Sequence, residues 1–337
     1  MTTRLIAFVR ALVFIVAALV LCGVIFQFAG YSALSMFQDI VDGAFLRPGA
    51  PLQSLRWALP LFITSVGVSI SFRCGYFNIG AICATFMATW LNDAPAYVLT
   101  PLCFLAGMAG GALWAFWPGW LRLQSGTDEV ITTLMGNFIA GLILVYVTTG
   151  PLKDPSGSGQ QSSSRPLKAA YRISDSLGIS PVIVAIALVV GVGMWLLVNR
   201  TAFGVLASLA GRNPTMVTWQ GARVWRLGLS SFLISGALAG LSGVIEVFGP
   251  NGRLVGGFLP THGFTAILIA LVASLSVVGI GFVSLFFGGL ASAALYLPIM
   301  AGLPSSAIDI VNAAIALFIT AKSEWVDRLL RLGNAPS

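Results

Sequence analysis

The sequence predicts an all-α polytopic membrane protein of about ten transmembrane helices, and three observations lead there. Of 337 residues, 57% are hydrophobic and 9% charged, with mean hydropathy +0.94, whereas an ordinary soluble domain carries about 25% charged residues. Eleven acids and eighteen bases cannot cover the surface of a water-soluble globule of this size. The apolar residues gather in ten blocks near the ~20-residue length that crosses a bilayer. The cations between the blocks are distributed unevenly, as the positive-inside rule requires.

The blocks are 11–29, 57–72, 79–92, 96–118, 130–149, 180–198, 228–248, 264–280, 281–300 and 307–321. The first follows Arg4 and Arg10, is longer than a signal-peptide core, and has no small-x-small cleavage site, so it reads as an uncleaved helix. Bulky Leu21 before Cys22 argues against a lipoprotein cleavage box. The short blocks, 79–92 and 307–321, suit helices that are tilted, broken or shielded by neighbours.

An even number of spans with the N-terminus inside returns the C-terminus inside. Eleven cations then fall inside, among them Arg73, Arg122, Arg200, Arg212, Arg223 and Arg226, and seven outside, including Arg47, Arg56, Lys153, Arg165, Lys168, Arg172 and Arg253. The 199–227 loop holds four arginines and no acid, while Asp39, Asp42, Asp93, Asp154 and Asp175 fall outside. The chain reads as a single transmembrane domain over 1–337, with both termini cytoplasmic.

Three polar segments interrupt it. Residues 150–178 form a Ser/Gly-rich external loop, either a solvated connector or a docking surface offering Lys153, Arg165, Lys168 and Arg172. Residues 199–227 interleave Phe203, Leu206, Met216 and Trp219 with Gly, Asn and Pro, which suits short helices lying against another protein. Residues 322–337 place Trp325, Leu329 and Leu332 on one stripe beside Lys322 and Arg328, an amphipathic helix at the inner membrane surface. Gly107-xxx-Gly111 and Gly236-xxx-Gly240 are spaced for close helix packing.

Enzyme chemistry lacks its parts. His262, read in an outer loop, is the one histidine, so a zinc site has no ligand set. None of Lys153, Lys168 and Lys322 follows glycine, so no Walker A loop exists and any nucleotide site belongs to another chain. Cys22, Cys74, Cys83 and Cys103 are scattered in apolar blocks and behave as small hydrophobes. The charge of +7 reports membrane orientation, not nucleic-acid binding.

Polar residues near membrane depth are the candidate pathway: Asn78, Asn137, Asp309 and Asn312, with Glu246 and Asp309 placed near span ends. Helix caps, interhelical hydrogen bonds and boundary water contact are the competing accounts, and Asn78 in particular is a favoured N-cap. In "SFRCGYFNIGAICATF" (71–86), Arg73 ends one span, Gly75 permits a reversal, and Asn78 opens a short helix. Irregular backbone at that depth lines a cavity or is buried in protein.

Several motifs in order resemble the permease subunits of ATP-binding-cassette importers in the branched-chain amino acid and simple-sugar superfamily, the nucleoside type in particular. "CGYFNIGA" (74–81) resembles their "GLFNIGAEGQ" signature. "GALWAFWPGWLRLQSGTDEVITTLMGNFIA" (111–140) and "GPLKDP" (150–155) resemble an internal block and an external-loop motif. "RTAFGVLASLAGRNPTMVTWQGARV" (200–224) is similar to the coupling segment. "ISGALAGLSGVIEVFG" (234–249) and "LPSSAIDIVNAAIALFITA" (303–321) resemble the closing spans.

The resemblance implies a type II importer permease fold over about 55–322 and no cofactor on this chain, with ATP and magnesium on a partner. It implies a second permease (here a different chain), two cytoplasmic ATP-binding subunits or one fused double ATPase, and an external substrate-binding protein. Phe77, Asn78, Asn137, Asp309 and Asn312 would line the substrate pathway. Ala210, Gly211, Arg212, Asn213, Pro214 and Gly221 would couple to the ATPase. The solute would be a nucleoside or a related ribose- or sugar-like compound. Ile82-Cys83-Ala84 replaces the usual Glu-Gly-Gln, which leaves solute identity open and fits the less polar half of a heterodimer. Thr215 replaces the usual acid after Asn-Pro, which fits a dedicated ATPase.

Two rivals stand beside this. An ion-coupled secondary transporter of a small solute needs a buried carboxylate near mid-membrane, and a membrane-embedded enzyme needs clustered acids or histidines at one face.

Overall fold

The computed structural model describes residues 16–28, 30–73, 95–155, 162–173, 179–255, 260–300, 302 and 306–320. Twelve α-helices occupy them: α1 Val16–Phe28, α2 Ala33–Val41, α3 Ala50–Arg73, α4 Ala96–Ser125, α5 Glu129–Thr149 and α6 Pro181–Arg200. α7 is Ala202–Ala210, α8 Pro214–Trp219, α9 Val224–Glu246, α10 Pro260–Val272, α11 Val277–Met300 and α12 Ser306–Thr320. Extended pairing among the described residues is confined to the isolated bridges Lys153–Ser164 and Ser163–Val255. The protein is all-α and polytopic. Six of these helices are long and apolar enough to cross a membrane, and α1, α10 and α12 carry shorter apolar stretches. The predicted span 79–92 and the predicted tail helix 322–337 lie outside the described residues.

Several boundaries differ from the expected ones. The second span begins at Ala50 rather than residue 57, which takes Arg56 into the helix. Blocks 264–280 and 281–300 divide earlier: α10 ends at Val272, and Ser274 and Leu275 take left-handed backbone (φ 50° and 60°) before α11 starts. Without glycine or proline this turn is unusual, and carbonyls of the preceding helix hold it, with Leu275 N–H donating to the Ala270 carbonyl at 2.9 Å. α10 starts at Pro260, so His262 lies in its first turn and not in a loop. α2 occupies a stretch expected to be a loop. Ser32 caps it, and the Gln27 side chain accepts from Ala33 N–H at 3.2 Å.

The chain forms two compact units. One comprises residues 1–43 with 293–337, and the other residues 44–292. In the larger unit α3 and α9 are the central helices, each with 78% of its most apolar window buried. α9 packs on α3 and α4, and α3 also meets α6 and α10. The two small-residue pairs face each other: a side chain at Gly240 would collide with the Gly107 carbonyl, and one at Gly236 with the Gly111 carbonyl and the Ala115 methyl. α4 and α9 thus touch backbone to backbone, antiparallel; the spacing predicts close packing, and the structure adds that the two motifs meet each other.

The segment after α5 is a folded cap. Ser164 N–H donates to the Leu254 carbonyl at 2.9 Å, and the Ser164 hydroxyl accepts from Leu254 N–H at 2.9 Å. Leu167 N–H donates to Gly252 at 2.7 Å, and Ile173 N–H to Phe248 at 3.0 Å. Leu167 and Tyr171 insert among Leu99, Cys103, Leu144 and Phe248. These anchors pin residues 162–173 to the end of α9, while Lys153, Arg165, Lys168 and Arg172 remain exposed.

Candidate functional site

The segment between α6 and α9 is built from three local signals. Thr201 ends α6 and caps α7: its hydroxyl donates to the Leu197 carbonyl at 2.5 Å and accepts from Gly204 N–H at 3.5 Å. A Cβ at Gly204 would overlap the Val198 backbone, so α7 folds tightly back on the end of α6. Asn213 caps α8, its side-chain oxygen accepting from Met216 N–H at 3.1 Å, and Pro214 follows at the first helical position. Gly221 (φ 78°) makes the left-handed turn that leads into α9.

One side chain fixes α8 to the protein. Val217 is 0% exposed, whereas Trp219 is 87% exposed and Met216 also faces out. Gly211, Arg212, Asn213, Pro214 and Gly221 are exposed, and Ala210 is half-buried. With Arg223 and Arg226 also exposed, the segment presents cations around apolar side chains, and residues 199–227 contain no acid. Such a surface suits a cleft with an acidic rim.

The proposed pathway residues fall in different parts of the chain. Phe77 and Asn78 lie outside the described residues. Asn137 is half-buried on α5 in the larger unit. Asp309 and Asn312 lie on α12 in the smaller unit, where Asp309 is exposed and the buried Asn312 Oδ1 has no hydrogen-bond partner.

A polar pairing that the sequence does not reveal lies between α3 and α9. The Ser242 hydroxyl donates to the Pro60 carbonyl at 3.1 Å. Two turns away along both helices, a Cβ at Gly67 would meet the Ser235 carbonyl at 3.2 Å. The same antiparallel register, carried one turn the other way, sets Glu246 opposite Arg56. The two interact as opposite charges. Glu246, expected at a boundary, is only 3% exposed, and its carboxylate accepts from Asn251 Nδ2 at 3.5 Å. Arg56 lies over the Trp57 ring at 5.1 Å and donates to Gln53 at 3.3 Å, while its buried Nε has no partner. A buried carboxylate is therefore present, but at the end of α9 and not near mid-membrane, where an ion-coupled transporter needs one, and it faces a guanidinium.

The profile of the family described as branched-chain amino acid transport system / permease component matches residues 50–320. The chain is 32% identical over 330 residues to the guanosine ABC transporter permease protein NupP of Bacillus subtilis (strain 168), covering 95% of this chain and 94% of that one. It is 31% identical over 297 residues to the glucose ABC transporter permease protein TsgB13 of Haloferax volcanii, covering 82% and 77%. It is 29% identical over 334 residues to the nucleoside ABC transporter permease protein NupB of Lactococcus lactis subsp. cremoris, covering 92% and 90%. No solved structure matches the chain. A helical bundle with six long spans, a family match over residues 50–320 and a relative 32% identical along nearly the whole length agree: the chain belongs to the branched-chain amino acid transport system permease family, as a multi-pass inner-membrane permease component of an ABC transporter.

Proposed function

We infer that this permease carries a nucleoside or a related ribose- or sugar-like solute inward, driven by ATP hydrolysis on separate subunits. The observation that carries the reading is the α7–α8 arm, whose exposed arginines and Trp219 flank a single buried anchor, Val217. Relatives named for guanosine, nucleoside and glucose transport support the solute class. In this reading Ala210, Gly211, Arg212, Asn213, Pro214 and Gly221 seat in a groove of the ATPase, which holds ATP and magnesium. A second permease of a different chain closes the path, and an external binding protein delivers solute to the cap that bears Arg165 and Lys168. Both termini are cytoplasmic, and Phe77, Asn78, Asn137, Asp309 and Asn312 line the path.

The test is reconstitution in liposomes with the ATPase, the second permease and the binding protein. Uptake of labelled guanosine or another nucleoside should require ATP and all partners, and Asn78→Leu should lower it without changing the affinity of the binding protein. Accumulation by the chain alone, driven by a proton or sodium gradient, would end this reading.

A further inference from the structure

A groove of about 510 Å³ opens between α3, α6 and α11, and its lining is apolar apart from the Ser284 hydroxyl and the Trp195 indole. On α6 it is lined by one stripe running from Val184 through Leu188 and Gly191 to Trp195. At ~1.5 Å per residue this stripe is roughly 16 Å long. Glycine makes the width: a Cβ at Gly191 would meet the Phe62 ring at 2.9 Å, and at Gly281 the same ring lies 3.8 Å away.

The groove faces outward from the unit that builds it. Only 22% of the most apolar window of α6 is buried, against 78% for α3 and α9, and Leu188, Val192 and Leu196 stand exposed. At one end Trp195 both lines the groove and carries the Arg200 guanidinium, 5.7 Å from its ring centre. Arg200 is the last, exposed residue of a spanning helix, so it sits at the membrane–water boundary. An aromatic and a cation at that depth are the usual interfacial pair.

We propose that this groove holds an acyl chain of an anionic phospholipid whose phosphate is bound by Arg200. At ~1.5 Å per residue, the part of the stripe from Trp195 to Gly191 lies roughly 7 to 14 Å from Arg200, within the ~15 Å depth of one leaflet. The rest continues past the midplane, and the positive charge stands where a headgroup would. The next residue, Thr201, caps α7, so the bound headgroup lies at the root of the α7–α8 arm. The inference needs only the spanning of α6 and is independent of the transported solute.

The full chain, purified in detergent, is titrated with palmitoyl-oleoyl phosphatidylglycerol or the matching phosphatidylcholine, and retained lipid is counted by native mass spectrometry. The parent should retain one phosphatidylglycerol in preference to phosphatidylcholine. Arg200→Glu should lower that retention about fivefold and Arg200→Lys should keep it. Val278→Trp, at an exposed lining position, should reduce both lipids without a change in melting temperature, and Gly281→Leu should do the same from the groove floor. Equal phosphatidylglycerol retention by Arg200→Glu and the parent, or unchanged occupancy in Val278→Trp, overturns the proposal. So does cross-linking of Val192→Cys to the second permease in the assembled transporter, since the groove would then be covered by protein.

Discussion

Glu246 of α9 faces Arg56 of α3 across an antiparallel helix contact, in the register set by the Ser242–Pro60 hydrogen bond and the close approach of Gly67 to Ser235. Pro60 lies one turn beyond Arg56 and has no N–H, so the helix omits its hydrogen bond to the Arg56 carbonyl. Polar demand is therefore concentrated where two otherwise apolar helices meet. A charge left alone there has no compensation, although both partners can be replaced together.

Glu246→Leu alone should destabilise the protein by about 2 kcal/mol, below the usual penalty for a fully buried pair because Arg56 is only half-buried. Adding Arg56→Leu should recover most of that loss. Thermal melting of the two single variants and the double variant in detergent measures the coupling. Additive losses would mean that the two charges are independent.

The α4–α9 contact yields a second expectation. Gly240→Leu places a side chain on the Gly107 carbonyl and should cost more than the ~1–3 kcal/mol of ordinary overpacking, because backbone cannot move aside. Gly193→Ala, where a Cβ meets nothing within 4 Å, should leave the melting temperature unchanged. Equal tolerance at both glycines would refute the contact.

These two helices show what the sequence makes legible. Four-residue glycine spacing is a local signal, and it correctly announces that α4 and α9 each pack closely on a neighbour, though not that they pack on each other. The pairing of Arg56 with Glu246 is not local. Each charge was assigned to the nearest end of its own apolar block, and nothing nearby in sequence reveals that α3 begins at Ala50 or which helix faces Glu246. Pro60 inside an apolar run was the available hint. The α10–α11 break was hidden for a different reason: Ser274 and Leu275 adopt a backbone usually announced by glycine. The arm at 199–227 was readable because Thr201, Asn213, Pro214 and Gly221 are each cap or turn residues by chemistry. The cap at 162–173 was not, since its anchors are backbone hydrogen bonds to the distant segment at 248–254.

That cap places Arg165 and Lys168 on a fixed surface. Arg165→Glu with Lys168→Glu should weaken docking of the external binding protein, and the parent's affinity should fall as salt rises while the variant's falls less. Binding measured in nanodiscs at low and high ionic strength checks this. An affinity indifferent to both charge reversal and salt would leave the cap a connector.

The arm permits the sharpest separation of structure from coupling. Asn213→Ala removes the N-cap of α8, at about 1 kcal/mol. Gly211→Asp adds a negative charge to an exposed surface with no other acid between 199 and 227. Both positions lie in the exposed turn between α7 and α8, so the double variant should insert as the parent does and lose no more than that local cap energy. An acidic-rimmed cleft on the ATPase would repel the new aspartate, and an uncapped α8 would present Met216 and Trp219 poorly. ATP hydrolysis in the assembled transporter should then persist while solute uptake falls by roughly tenfold, the effect of about 1.4 kcal/mol at the interface. Normal uptake by a correctly inserted double variant would remove the arm from the coupling path and leave α7 and α8 as a membrane-surface connector.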